Sequence, residues 1–280
     1  MVRERYLQQL DLLSKSVLSL GKMVQRVFAD SMIAVEHLDI KLAEKTIASE
    51  TEVNKLEEGI EVSICDLLAL QQPLASDLRL VVSSLKIAAD LKRIEGLSLN
   101  IAKIPGKIEG GHIKSLVDTR KMADIAAYML ENSLKAFKTQ DVELARATAA
   151  RDDEVDKLFY AVWVELIEMM AKDTNMISRA TYLLFLIRYI ERIADHCCNI
   201  CESVVYLATA ERVKLNCIFR LSLLLFSFFL LMFFPKGFFT STFDGFSLVF
   251  TGFSYTILCH LFSHIFDISD VHVLSTFINI

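Results

Sequence analysis

Two segments of this chain each occur twice. Glu50-Thr-Glu-Val-Asn-Lys-Leu56 returns as Asp152-Asp-Glu-Val-Asp-Lys-Leu158. Lys92-Arg-Ile-Glu-Gly-Leu-Ser-Leu-Asn-Ile101 returns as Glu191-Arg-Ile-Ala-Asp-His-Cys-Cys-Asn-Ile200. The offset of about a hundred residues is too long for a solenoid, whose period is about 20–50 residues. It points instead to a duplicated compact unit.

The pattern inside each unit is helical. From Arg3 to His37, Leu7, Leu10, Leu13, Val17, Leu20, Val24 and Val27 recur at three- and four-residue spacing, the stripe of an amphipathic helix. A second helix is predicted from Leu42 to Leu70 and a third from Ser76 to Ile104, with Pro73 between them. Pro105, Gly106, Gly110 and Gly111 then mark a loop. Three more helices follow: Ile113 to Phe137, Asp141 to Ala171 with Asp141 as N-cap, and Asn175 to Ala208. Short connections favour antiparallel neighbours. The fold class predicted is all-α: two tandem antiparallel three-helix bundles, residues 1–106 and 107–216, followed by an apolar tail, residues 217–280.

The tail differs sharply in composition. It holds 15 of the 19 Phe and only five charged residues, Arg220, Lys236, Asp244, Asp267 and Asp270. The uncharged stretch Leu221 to Phe234, which reaches 18 residues with Cys217 to Arg220, and Phe246 to Phe266 approach the length of membrane spans. Arg212, Lys214 and Arg220 before the first would keep the helical part in the cytoplasm. Three readings stand: a membrane hairpin, an aggregating apolar segment, or a translated stretch beyond the natural end of the protein.

Composition narrows the function. The net charge is −5 with no dense Lys/Arg run, so nothing supports nucleic-acid binding. The N-terminus, MVRERYLQQLDLL, is charged and amphipathic from its start, unlike a secretory leader. The six Cys are therefore expected as reduced intracellular thiols. Neither a phosphate-gripping glycine loop nor a Gly-x-Ser-x-Gly elbow occurs, and Glu-x-x-His is absent, against a ferritin-like di-iron oxidase.

The candidate site is acidic. Asp152 and Asp156 lie four apart on the fifth helix, and Glu191 and Asp195 four apart on the sixth, so each pair shares a helix face. Like charges so placed repel by about 0.2–0.5 kcal/mol per pair. They must face water or share a cation, and carboxylate-rich sites between bundle helices hold iron or other divalent metals. The nearby His196, Cys197, Cys198 and Cys201 could supply soft ligands. No second Cys/His pair completes such a set, and the cysteines are expected to pack as small hydrophobes. Trp163, Met169 and Met170 fall at core-like spacing and receive no cofactor.

These residues also carry a resemblance. Gln71-Gln-Pro-Leu-Ala-Ser-Asp-Leu-Arg79, Leu85-Lys-Ile-Ala-Ala-Asp-Leu-Lys-Arg-Ile94 and Glu191-Arg-Ile-Ala-Asp195 resemble the PhoU family over about residues 1–216. The resemblance implies a tandem of three-helix bundles and a non-enzymatic negative regulator of phosphate uptake. Its implied partners are the subunits of a phosphate ABC transporter and a sensor kinase. It also implies a homo-oligomer and a divalent metal or iron cluster held by paired acidic motifs. In the second bundle Asp152, Asp156, Glu191 and Asp195 match that motif. In the first, Glu50 is kept, but Asn54, Lys92 and Gly96 replace the other acids, and Glu95 sits one position early. A lysine there puts a positive charge where a cation would sit, so a metal is expected in the second bundle only. The competing readings are a membrane-anchored metal-binding adaptor for another transporter, and a metal-dependent enzyme built on the carboxylates. The latter needs a positioned base that the sequence does not name.

Overall fold

The computed structural model describes residues 2–108 and 111–215; the apolar tail and its possible spans lie outside them. Among the described residues there are eight α-helices and no strand. They are α1 (Val2–His37), α2 (Ile40–Ala48), α3 (Glu50–Gln71), α4 (Ala75–Ala102), α5 (Val117–Thr139), α6 (Val142–Ala149), α7 (Asp152–Lys172) and α8 (Ile177–Thr209). The expected six-helix pattern is present, with each middle helix divided in two.

Both divisions occur at the same place in the repeat. Asp39 caps α2 by accepting from the Leu42 amide at 3.0 Å, and Asp141 caps α6 by accepting from the Leu144 amide at 2.9 Å. Thr46 and Thr148 are buried and donate their hydroxyls back to the carbonyls of Leu42 and Leu144. Such back-bonding bends helices. The next amides tighten to three-residue bonds, Ser49 to Thr46 and Arg151 to Thr148, and a new helix starts with Glu50 or Asp152. The uninterrupted helices expected over 42–70 and 141–171 are thus broken at Ser49 and at Ala150–Arg151. The fourth helix begins at Val117 rather than Ile113, because Gly111 turns with φ +87° and the ring of His112 bonds the Val35 carbonyl at 2.9 Å.

The core follows the predicted stripe. Leu10, Leu13, Val17, Leu20, Val24 and Val27 are all buried. Leu7 departs from it at 52% exposed, because Tyr6 packs there instead and donates its hydroxyl to Asp77 at 2.9 Å. Ile187, Ile190, Ile193 and Ile200 of α8 are fully buried, whereas Trp163, Met169 and Met170 lie at the core's margin.

Equivalent helices of the two trios pack on each other. Arg79 of α4 donates to the Leu207 carbonyl of α8, Ser83 to that of Ser203, and Asp90 meets His196. Numbers rise on one helix as they fall on the other, so α4 and α8 are antiparallel. The same holds for α1 and α5, where Glu36 meets Arg120 and Gly21 lies against Leu134. A two-fold relation between the repeats has this consequence. At Gly21 a Cβ would lie 2.5 Å from Leu134 Cδ1, so glycine permits the close approach of α1 and α5.

Candidate functional site

The break before α7 makes Asp152 the first residue of a helix, where the positive end of the helix dipole favours a carboxylate. The same residue is nearly enclosed, 4% exposed, and its Oδ1 has no hydrogen-bond partner. Asp156 lies one turn on. From α8, Glu191 (2% exposed) and Asp195 complete the group.

Electrostatics shows that the four acids are neighbours. The Asp152 carboxyl is pushed up to about 8, first by burial, then by Asp195, Asp156 and Asp153, with a hydrogen bond from Cys198 partly offsetting them. Asp156 is pushed up to about 7 by burial, Asp195 and Asp153, opposed by Arg188. Glu191 is raised by burial above all and by Asp195, Asp156 and Asp152, against the pull of Arg188. A cluster of this kind is neutralised by protons or by cations. The acid pairs read from spacing alone are therefore brought together across α7 and α8.

One member of the site is missing from the sequence reading. Arg188 Nη1 donates to both Glu191 oxygens, at 2.6 and 2.5 Å, in a pair almost closed to solvent. The signal was present: Arg188 precedes Glu191 by three residues, so the two share a face. Among the described residues, no three His, Cys, Asp or Glu side chains converge closely enough to hold an ion as they stand. In favour of a cation are an all-oxygen donor set and the buried, partnerless Oδ1 of Asp152.

The sulfur and imidazole groups have other partners. Cys197, Cys198 and Cys201 are buried, and Cys198 donates to the Ala149 carbonyl at 3.7 Å. Burial pushes the Cys201 thiol up to about 12 and raises those of Cys197 and Cys198 as well, so all three remain protonated. His196 Nδ1 lies 2.9 Å from Asp90 Oδ1, which also accepts from Asn199 at 3.3 Å. That network ties α8 to α4.

The first trio is built differently. Glu95 is fully buried, and Lys92 Nζ lies 2.8 Å from its Oε2. Burial raises the Glu95 carboxyl, Lys92 pulls it back, and Glu50 and Glu57 push it up again. Glu50 itself is exposed. Here a lysine stands at the position that Glu191 holds in the second trio.

Comparison with known proteins bears on the whole described region. The PhoU domain family matches residues 17–104 and 119–204, one match per repeat. The phosphate-specific transport system accessory protein PhoU homolog of Clostridium acetobutylicum is 32% identical over 218 residues, 77% of this chain and 100% of that protein. The homolog from Rhizobium meliloti is 33% identical, covering 73% of this chain and 87% of its own. Among solved structures, PhoU from Streptococcus pneumoniae, a phosphate transport system regulatory protein, superposes with a TM-score of 0.70 at 32% identity, over 74% of this chain and 99% of that one. PhoU from Pseudomonas aeruginosa gives 0.71 at 30% identity, over 74% and 100%. On these matches, spanning both helical trios, the chain belongs to the PhoU family.

Proposed function

We propose that this protein is a non-enzymatic negative regulator of phosphate uptake. It acts on the subunits of a phosphate ABC transporter in the cytoplasm, as a homodimer, and passes the transporter's state to a sensor kinase. In the second trio Asp152, Asp156, Glu191 and Asp195 hold a divalent metal or an iron cluster. In the first trio Lys92 takes that place.

The observation that carries the reading is coverage. Relatives named as accessory proteins of the phosphate-specific transport system match over nearly their whole length, so the likeness extends through both repeats. A regulatory rather than catalytic role is supported by the chemistry of the site. Asp152 and Glu191 are enclosed, and the adjacent thiols are held protonated and are poor nucleophiles. Among the described residues, no helix is long and apolar enough to cross a membrane.

The test is affinity purification of the tagged full chain from its own cells. Phosphate transporter subunits are expected to co-purify, and elemental analysis is expected to find a transition metal that Glu191→Ala with Asp195→Ala removes. Recovery of the chain without any transporter subunit would contradict the regulatory reading. A metal-free preparation would contradict the metal.

A further inference from the structure

The acids of the second trio sense one another strongly, yet no three donors converge on a point. The Arg188–Glu191 pair accounts for this. Its guanidinium grips both oxygens of Glu191, the most enclosed acid of the set, and itself is only 12% exposed. A carboxylate held this way has one side of each oxygen engaged and its charge already neutralised, which weakens its pull on a cation between α7 and α8. On α7, Oδ1 of Asp152 is left buried and without a hydrogen-bond partner.

Resting on the metal reading above, we propose that Arg188 is the resident counter-ion of this cluster, and that a divalent cation enters by displacing it from Glu191. The site then has two closed states. In one, the guanidinium neutralises Glu191. In the other, Glu191 turns to the cation together with the acids of α7, and Arg188 moves out. The first trio shows the same arrangement with no exchange available. There Lys92 occupies the position equivalent to Glu191, and its ammonium pairs with the buried Glu95 in a partly buried contact. Removing one partner of a buried pair leaves an uncompensated charge, so each state has to supply a cation to the acid it encloses. Arg188 thus makes loading of the second trio a substitution of one positive group for another, and sets the cation concentration at which it occurs.

The experiment uses the full chain, stripped with a chelator and titrated with manganese(II), with free ion read by its EPR signal. The wild type is expected to bind. Arg188→Gln is expected to bind at least about tenfold more tightly, because nothing has to be displaced. Arg188→Lys, which keeps the charge, is expected to stay near the wild type. In a Glu191→Gln background, the gain from Arg188→Gln is expected to shrink to less than about threefold, since residues acting on one group are not additive. Metal-free Arg188→Gln should melt below the wild type, and manganese should close that gap. Equal or weaker binding by Arg188→Gln would overturn the proposal and make Arg188 a support that orients Glu191. A tenfold gain that survives Glu191→Gln would overturn it as well, leaving only a general charge effect. If neither wild type nor Arg188→Gln binds, the metal reading fails and the exchange fails with it.

Discussion

Replacing Asp152 with asparagine should make the cation-free protein more stable at pH 8 and flatten the decline of its stability with pH. In an unfolded chain an aspartate gives up its proton near pH 4. In the fold Asp152 keeps it until about 8, because burial and the charges of Asp195, Asp156 and Asp153 all oppose ionisation. Between those values the folded protein binds a proton that the unfolded chain has released. The stabilisation is therefore complete below about pH 4 and is lost as pH rises through about 8. Asp156, with its own carboxyl raised to about 7, acts in the same direction over a narrower window. Each pH unit of separation corresponds to about 1.4 kcal/mol, so the contribution of Asp152 is on the order of several kcal/mol. Asparagine keeps the size and loses the charge. Urea unfolding in the presence of a chelator, at pH 5, 6.5 and 8, should show a falling series for the wild type and a clearly shallower one for Asp152→Asn, with Asp156 and Glu191 leaving a residual slope. Parallel series would mean that Asp152 is not a buried acid.

The second large effect lies in the core. Leu91→Ala should lower stability by about 2–5 kcal/mol, the range for emptying a fully enclosed leucine site. Leu91 has no solvent exposure and sits on α4, the helix that packs both inside its own trio and on α8. Neighbours fixed from two sides cannot collapse into the space, which places the cost toward the upper part of that range. Leu74→Ala, at a residue 78% exposed, should change stability by less than about 0.5 kcal/mol. The readout is the urea midpoint, with the slope unchanged if the loss is of packing alone. Equal midpoints for the two variants would place Leu91 outside the core.

Much of the fold could be read from residue order because the repeat and the three-to-four spacing are both visible there. Glu50–Leu56 and Asp152–Leu158 align by eye, and the Leu10 to Val27 stripe is the buried face of α1. The breaks at Ser49 and Ala150–Arg151 were not legible. The alanine and arginine there suit a helix, and the interruption comes from the buried hydroxyls of Thr46 and Thr148 bonding back along the chain. The acid pairs were legible as pairs, since spacing places two carboxylates on one face. That they meet across α7 and α8 depends on packing, which spacing does not encode. Arg188 was overlooked although its distance from Glu191 in sequence is the signature of a helical ion pair. Lys92 was expected to put a positive charge where a cation would sit in the first trio, and its ammonium lies 2.8 Å from the Glu95 carboxyl.

These observations connect an ancient duplication to a difference in electrostatics. One repeat carries its counter-charge as a lysine, and the other leaves acids that a proton, an arginine or a metal can satisfy. The hydrogen bonds of His196, Asn199 and Asp90 hold α8 and α4 together.

The most direct measurement is the uptake of radiolabelled phosphate by cells lacking this gene, grown in abundant phosphate. The account predicts that uptake rises above the wild-type rate and returns to it when the gene is restored. Uptake unchanged by the deletion would contradict it.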